Sequence, residues 1–321
     1  MTSRTFPRYG WLVLGYTAAA AVWGAFVRAT GSGAGCGNHW PLCNGEVVPR
    51  GPAVETLIEL SHRVSSGLVG PLAIVLVVWA VRRFGWRHPA SLAAVAALVL
   101  TVVEGLIGAA LVRFELVGQN ASVTRGFVMA AHLVNTFLLL AAMALTAAWG
   151  AGWALPRLRR PGVAGWLLGG GLLAVTAVGA SGAVTALGDT LFPVATLTED
   201  ALRALDLPAQ VLVRLRILHP FLAVGAAAYL VVMAVYVRER VPAARVKHLT
   251  LGLGAVFGVQ LGAGLVNVAL AAPVWLQLVH LALAYLVWLL LVLLCAEAAG
   301  APAPAAATGA RPLTAPAGRS P

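Results

Sequence analysis

Eight long apolar segments restrict the architecture of this chain more than any other feature of its sequence. Each is long enough to cross a hydrocarbon core of about 30 Å as a helix that rises about 1.5 Å per residue. Strands of a membrane β-barrel would instead alternate apolar and polar residues over about 10 positions. We therefore expect an all-α polytopic membrane protein with eight transmembrane helices. The segments cover approximately residues 10–29, 55–81, 90–112, 123–149, 163–186, 210–237, 249–270 and 273–296.

The composition excludes soluble classes of protein. Charged residues make up 10% of the chain and apolar residues 60%, whereas soluble domains average about 25% charged residues. A formal net charge of +11 does not indicate nucleic acid as a partner, because basic residues that flank membrane spans account for it. Three cysteines are too few for a disulfide scaffold. We expect the chain to be surrounded by membrane lipid.

The basic residues also predict the orientation of the chain. With the N-terminus in the cytoplasm, most lysines and arginines fall in cytoplasmic segments, as Arg82, Arg83 and Arg238 do. We therefore expect a multi-pass protein of the cell membrane with both termini cytoplasmic. The first apolar segment should be retained as a helix and not cleaved as a signal peptide, because the repeat described below requires it. Residues 299–321 are rich in Ala, Pro and Gly and are predicted to form a disordered tail.

Four histidines occupy matching places in the apolar segments. They lie on the second, fourth, sixth and eighth segments, roughly 7–10 residues after each begins, and are His62, His132, His219 and His280. Ionisable groups are costly in lipid and are usually functional there. Imidazole ligates haem iron, and two facing helices can supply both axial ligands. We expect two bis-histidine haem sites in preference to zinc or copper sites, since no carboxylate or thiol completes a compact metal site in both halves.

The last four helices repeat the first four. An even number of helices in each half gives both halves the same orientation, as in a parallel repeat about an axis along the membrane normal. We therefore expect two pseudo-symmetric four-helix bundles, formed by residues 1–150 and 151–298. The corresponding stretches are Leu60–His62 with Leu218–Pro220, and Val103–Glu104 and Gly108 with Val259–Gln260 and Gly264.

The two halves differ beside their histidines. Glu59 stands three residues before His62 and Arg216 stands three residues before His219, so each shares a helix face with its histidine. A carboxyl beside a haem offers a proton donor or acceptor, and an arginine there can bind a propionate. We interpret the first half as catalytic and the second as the holder of an electron-transfer haem. The alternative for Glu59 is an ion pair with Arg63.

Other charged residues near the predicted haem sites are weaker candidates. Arg63, Arg125 and Arg214 can bind propionates in the same way as Arg216. Glu104 lies at about the depth of the histidines on the third segment, where it is a second candidate for a functional carboxylate. A simple ion pair between Glu104 and an arginine is the alternative interpretation.

Two of the three cysteines stand close together in the first loop. Cys36 and Cys43 are separated by six residues that include glycine and proline, so a disulfide can close the ring. The predicted orientation puts this loop in an oxidising compartment, where disulfides persist. A redox-active dithiol, a metal site completed by His39, and two unpaired thiols are the other interpretations.

Three stretches of the sequence together resemble the haem A synthase family, which has bacterial and mitochondrial members. The resemblance extends over approximately residues 10–297. It implies eight helices in two four-helix halves, and the oxidation of a methyl group of haem O to a formyl group, which gives haem A for terminal oxidase assembly. The stretches are Arg28–Gly33 followed by Cys36 and Trp40–Gly45, then Glu59–Arg63, and finally Gln260–Asn267 with Pro273–His280.

The resemblance also implies which residues take part. The first half would hold the substrate haem, and the second half would hold haem b as a cofactor. Some family members have a second cysteine pair in the loop after the fifth helix, but residues 187–209 of this chain contain no cysteine. The implied site residues are Glu59 as the essential glutamate, His62 and His132 as ligands of the substrate haem, His219 and His280 as ligands of haem b, and Cys36 and Cys43 as a disulfide.

The resulting expectation is a haem A synthase whose partners are its substrate haem O, an electron donor and the haem O synthase. A di-haem b-type cytochrome that carries electrons from quinol is one alternative, and it gives no reason for Glu59. A haem transporter or chaperone is another, and it would release haem unchanged. Pigments extracted after incubation with haem O distinguish these proteins, because only the synthase makes haem A.

Overall fold

The computed structural model describes residues 4–157, 162–192, 211–241 and 243–301, without the side chains of residues 211–215. Within these residues the chain has eight spans that are long and apolar enough to cross a membrane, and the second, Val54–Phe84, contains two helices. The prediction of an all-α polytopic protein with eight such helices is therefore confirmed. The helices are α1 Thr5–Ala29, α2 Val54–Gly67, α3 Val69–Phe84, α4 Pro89–Arg113, α5 Val123–Gly150, α6 Val163–Leu191, α7 Val211–Arg240, α8 Ala244–Ala269 and α9 Val274–Gly300.

The second predicted segment differs from expectation because it is interrupted at Leu68. Pro71 has no backbone N–H, so it cannot donate to the carbonyl of Gly67 four residues earlier. The neighbouring backbone bonds persist, from Leu68 N to Val64 O at 3.2 Å and from Leu72 N to Leu68 O at 3.3 Å. A proline therefore divides one membrane span into two helices.

The helices extend further than the apolar segments indicated, most of all α1, α6 and α8. Helix α6 continues to Leu191, five residues beyond the predicted end at 186, and α9 continues to Gly300. Helix α9 thus includes the first two residues of the predicted tail, because alanine and glycine can prolong a helix that neighbouring helices support. The rest of this tail, residues 302–321, lies outside the described residues.

Four helices form the centre of the molecule. Most contacts between the two halves are made by α1, α5, α6 and α9. Their buried side chains, among them Leu14, Leu140, Leu168 and Leu291, belong to one apolar cluster that also includes residues of α3, α4, α7 and α8. These helices come in equal numbers from the first half, α1–α5, and the second half, α6–α9. The core of the protein is therefore the interface between the two halves.

The other helices present apolar side chains outwards. Leu106 of α4, Val231 of α7 and Leu265 of α8 are each more than half exposed. Apolar surface of this extent is expected where lipid, and not water, surrounds a helix bundle. The peripheral helices therefore form the lipid-facing surface of the two halves.

The histidine-bearing helices all begin at the same end of the bundle. This end, named the disulfide end, carries the loop with Cys36 and Cys43, and the opposite end carries Arg4 and Ala301. Helices α2, α5, α7 and α9 start at the disulfide end, and their histidines follow within roughly three turns. The topology therefore places all four imidazoles near one end of the bundle.

Arg28 joins the two halves at the disulfide end. Its Nη1 donates to the carbonyl of Ala186 at 2.6 Å and to Oγ1 of Thr190, and its Nη2 donates to Oε1 of Gln277 at 2.9 Å. Sequence reasoning placed Arg28 only within a motif and missed this role. The partners lie on α6 and α9, so the contact exists only after the halves have associated.

Candidate haem-binding site

The four histidines form two pairs across the helices of their own halves. His62 of α2 lies within electrostatic range of His132 of α5. His280 of α9 stands in the same relation to His219 of α7. Among the described residues there is no group of three or more His, Cys, Asp or Glu side chains that could hold a metal ion. Two-ligand haem coordination fits this arrangement better than a protein-ligated zinc or copper ion.

Glycines bring a neighbouring helix against three of these imidazoles. A Cβ on Gly24 would lie 2.8 Å from Cε1 of His62, and one on Gly182 would lie 3.0 Å from Cε1 of His219. Each glycine stands on the helix that precedes its histidine. Only a residue without a side chain allows this approach. Sequence reasoning missed these glycines, although their corresponding places in the two halves were an available signal.

The third close approach of a glycine to an imidazole joins α8 to α9. A Cβ on Gly264 would lie 3.1 Å from Cε1 of His280, whereas one on Gly108 would meet no atom within 4 Å. Gly108, at the corresponding place on α4, therefore makes no such close contact with an imidazole.

Two of the four imidazoles have a buried Nδ1 that meets no partner within the described residues, those of His62 and His280. Nδ1 of His132 lies 3.4 Å from Oε1 of Glu104, and Nδ1 of His219 lies 2.9 Å from Oγ of Ser181. Buried polar atoms normally have a partner, and an exception points to a ligand that completes the site. The histidines therefore fit an iron porphyrin in each half.

Glu59 and Arg63 hold the disulfide loop against α2. Oε1 of Glu59 accepts from Nε of Arg63 at 3.1 Å and from Nη2 at 2.6 Å, and Oε2 accepts from the backbone N of Cys36 at 2.8 Å. Nη1 of Arg63 donates to the carbonyls of His39 and Leu42. The ion pair considered as an alternative for Glu59 is therefore present, in a side chain that is 3% exposed. The pair connects the loop to the helix turn that carries the first histidine.

The disulfide predicted in this loop is confirmed. Cys36 and Cys43 are bonded, with their Cα atoms 4.4 Å apart, and both are buried. The interpretations with two unpaired thiols and with a metal site that uses His39 are therefore wrong. The bond closes the short ring that Glu59 holds through its contact with the backbone of Cys36.

Two of the candidate propionate ligands, Arg125 and Arg216, are buried and have protein partners. Arg125 is 4% exposed, and its Nη1 donates to the carbonyls of Gly118 and Asn120, both at 2.8 Å. Nε of Arg216 lies 2.9 Å from Oδ1 of Asp189. The side chain of Arg214 lies outside the described part of the chain. A role of these arginines in propionate binding remains a prediction.

Within the described residues Glu104 pairs with no arginine and instead accepts from side chains of α5. Its Oε1 accepts from Oγ1 of Thr136 at 2.5 Å and lies 3.4 Å from Nδ1 of His132, and its Oε2 accepts from Nδ2 of Asn135. Gln260 takes the corresponding place in the second half, where its Nε2 lies 3.2 Å from Nε2 of His280. The carboxylate finds its donors on α5 because α4 and α5 pack side by side.

Comparisons with known proteins identify the family of the chain. A protein of Thermus thermophilus named protoheme IX farnesyltransferase is 51% identical over 270 residues, which are 84% of this chain and 44% of that protein. Proteins named heme A synthase from Alkalihalophilus pseudofirmus and Geobacillus kaustophilus are each 44% identical over 122 residues, which are 38% of this chain and 38% and 36% of those proteins. The matched parts cover less than half the length of these relatives. Residues 7–292 match the family model described as cytochrome oxidase assembly protein, and the chain therefore belongs to this COX15-CtaA family.

Proposed function

We propose that this chain is a haem A synthase, an integral membrane oxidoreductase that oxidises a methyl group of haem O to a formyl group. The observation that carries the proposal is the repeated pair of histidines on facing helices, with a carboxylate beside the first pair and an arginine in its place beside the second. The similarity to proteins named heme A synthase supports the same assignment.

The histidine pairs would have different tasks. His62 and His132 would bind the substrate haem O in the first half, and His219 and His280 would bind haem b in the second. When bound, haem b supplies one-electron redox chemistry. The close approach of Gly24 to His62 and of Gly182 to His219 would hold the two rings in place.

Glu59 is the candidate for proton transfer near the reacting methyl group. It stands one helical turn from His62 and is 3% exposed. Its Oε1 accepts two bonds from the guanidinium of Arg63, whereas its Oε2 accepts one bond from the backbone N of Cys36 within the described residues. We assign the proton transfer to Oε2, because it is the oxygen that Arg63 does not bind.

The proposed setting is the cell membrane, with both termini in the cytoplasm and the disulfide end on the other side. The basic residues of the opposite end, such as Arg82 and Arg83, support this orientation. Residues 1–150 would form the substrate half and residues 151–298 the haem b half. The relative named protoheme IX farnesyltransferase supports haem O synthase as a partner that supplies the substrate. An electron donor is required as well.

The proposal is tested by product analysis. Membranes that contain the full-length chain are incubated with haem O in air and a reductant, and the extracted pigments are identified by chromatography and mass spectrometry. We expect haem A together with a hydroxylated intermediate. Unchanged haem O with a stable, reducible b-type spectrum would identify an electron-transfer cytochrome. Release of unchanged haem O to an acceptor protein would identify a transporter.

Glu59→Gln is the variant that separates proton transfer from structure. We expect a folded protein that makes little haem A, because the amide keeps the size of the side chain and one acceptor oxygen, for Arg63 or for Cys36 N, but carries no ionisable proton. Glu55→Gln, at an exposed position of the same helix, is the matched control and should retain activity. Arg63→Leu removes the hydrogen bonds to the loop carbonyls of His39 and Leu42 but leaves the carboxyl of Glu59 in place. If Arg63→Leu and Glu59→Gln lose activity equally, the loop contact and not the proton explains the loss.

The division between the halves is tested on the histidines. His219→Ala and His280→Ala should each abolish the b-type spectrum of the purified protein. His62→Ala and His132→Ala should preserve much of that spectrum and stop turnover. Equal spectral loss in all four variants would contradict the assignment of substrate and cofactor.

A further inference from the structure

We propose that Glu104 is a positioning residue that orients His132 and increases the electron donation of its imidazole to haem iron. In the second half, the neutral amide of Gln260 stands in its place. This inference rests on the proposed function, in which His132 binds the substrate haem. It concerns a residue that is neither a ligand nor a catalytic group.

The contacts of Glu104 direct its carboxylate to the ring of His132. Oε1 lies 3.4 Å from Nδ1 of His132, a buried nitrogen that makes no hydrogen bond within the described residues. Two donors on α5, the helix of His132, hold the carboxylate in this place. They are Oγ1 of Thr136 at 2.5 Å and Nδ2 of Asn135. Asn135 also donates to the carbonyl of Leu100 at 3.0 Å. The carboxylate is therefore fixed before a ligand binds, and a small rotation of the imidazole closes the remaining distance.

The repeat shows that three positions change together. Gln260 corresponds to Glu104, because Glu104 stands four residues before Gly108 and Gln260 stands four residues before the matching Gly264. Counted from the histidines His132 and His280, Asn135 corresponds to Leu283 and Thr136 corresponds to Ala284. The second half thus lacks the carboxylate and also lacks both of its donors.

This joint change has a physical reason. A carboxylate inside a helix bundle is costly unless donors satisfy its oxygens, whereas an amide needs fewer partners. Packing between α4 and α5 would not require an acid accompanied by two donors, and an apolar residue would serve it equally well. The three residues therefore indicate that a negative group is maintained beside His132 and not beside His280.

A carboxylate at Nδ1 has a known effect on a metal-binding histidine. It fixes the tautomer with the proton on Nδ1, leaves Nε2 free for the metal, and makes the ring a stronger electron donor. A stronger and more negative ligand favours ferric over ferrous iron. The first half should therefore bind haem with a lower reduction potential than it would with glutamine at position 104.

The test is a potentiometric titration of the full-length holoprotein, followed by the visible spectrum. The component that belongs to the first half is the one lost in His132→Ala. Loss of a group that hydrogen-bonds to a metal ligand typically changes metal affinity about 10-fold or more. We expect Glu104→Gln to change the ferric-to-ferrous preference of this component about tenfold, which raises its potential by about 59 mV for one electron. Glu104→Asp keeps the charge and should retain part of the effect.

Two further variants separate this role from a structural one. Position 260 now faces Nε2 of His280 at 3.2 Å, so the imidazole must turn its Nδ1 towards this position for a carboxylate there to act as Glu104 does. With that rotation, the triple change Gln260→Glu, Leu283→Asn and Ala284→Thr should lower the potential of the second-half component. Glu115→Gln, in a loop at the disulfide end, is the matched control and should move neither component. A fall in thermal stability of Glu104→Gln with unchanged potentials would overturn the inference and assign Glu104 a packing role.

The outcome is independent of product formation. If the potential shifts but no haem A is made, the positioning role stands and the proposed activity fails. If haem A is made and the potentials do not move, the proposed activity stands and the positioning role fails. A first half that binds no haem would overturn both.

Discussion

Gly24 allows α1 to lie directly against the imidazole of His62, and replacing it with alanine should disturb the first haem site alone. The added Cβ would lie 2.8 Å from Cε1 and 3.0 Å from Nε2 of His62. Carbon atoms in favourable contact are about 3.5–4.0 Å apart, so the ring or the helix must move by roughly 1 Å. Overpacking of this kind costs about 1–3 kcal/mol.

This cost should appear mainly in haem binding, because the ring is easier to displace than the helix. A loss of about 1.4 kcal/mol corresponds to a tenfold lower affinity, so we expect Gly24→Ala to weaken binding in the first half by about 10- to 100-fold. Alanine itself stabilises the helix by about 1 kcal/mol relative to glycine. A weaker haem affinity therefore cannot be attributed to a general loss of stability. The assay is a haem titration of the purified protein, with thermal unfolding measured in parallel.

Gly108→Ala is the matched control for this change. It lies on α4 of the same half, gains the same helix propensity and meets no atom within 4 Å. It should bind haem as the unchanged protein does. Gly182→Ala, with its Cβ 3.0 Å from Cε1 of His219, should weaken the b-type site and leave the first site unaffected. The reasoning is refuted if Gly24→Ala binds haem within about twofold of the unchanged protein, or if Gly108→Ala loses as much affinity.

Two further changes test the loop and the interface between the halves. Cys36→Ser and Cys43→Ser should each lower the free energy of unfolding by about 2–4 kcal/mol, because both remove one loop-closing bond, and clearly unequal losses in denaturant titrations would contradict a purely structural bond. Arg28→Met removes hydrogen bonds that join α1 to α6 and α9. It should lower the free energy of unfolding by roughly 3 kcal/mol, since a bond from a charged donor contributes about 1.5–3 kcal/mol. Arg113→Met is its control, because the contact of Arg113 with Asn38 is exposed and 3.5 Å long, and an equal fall in melting temperature for both would rule out a special role for Arg28.

Features that depend on neighbouring residues in the chain were predicted well. The eight spans follow from the length of apolar segments, because a bilayer core sets one length for every helix. The disulfide follows from two cysteines that stand close in a loop, and its geometry required no distant partner. Pro71 was visible too, and its missing N–H explains the break at Leu68 that the segment length concealed.

The partners of charged residues could not be predicted in the same way. The sequence offered an arginine for Glu104, but the packing of α4 against α5 supplied Thr136, Asn135 and the ring of His132. A charged group inside a membrane protein must find its partner on whichever helix lies beside it. The order of helices in space, and not the order along the chain, therefore decided this site.

The sequence by itself thus determined the membrane spans, the family and the spacing of the histidines, all of which are encoded in local patterns of residues. Tertiary structure alone decided that α1, α5, α6 and α9 meet at the centre, that Arg28 reaches Gln277 of the other half, and that Gly24 touches His62. Contacts between residues far apart in the chain depend on how closely helices approach each other. That approach depends on the whole set of packed side chains.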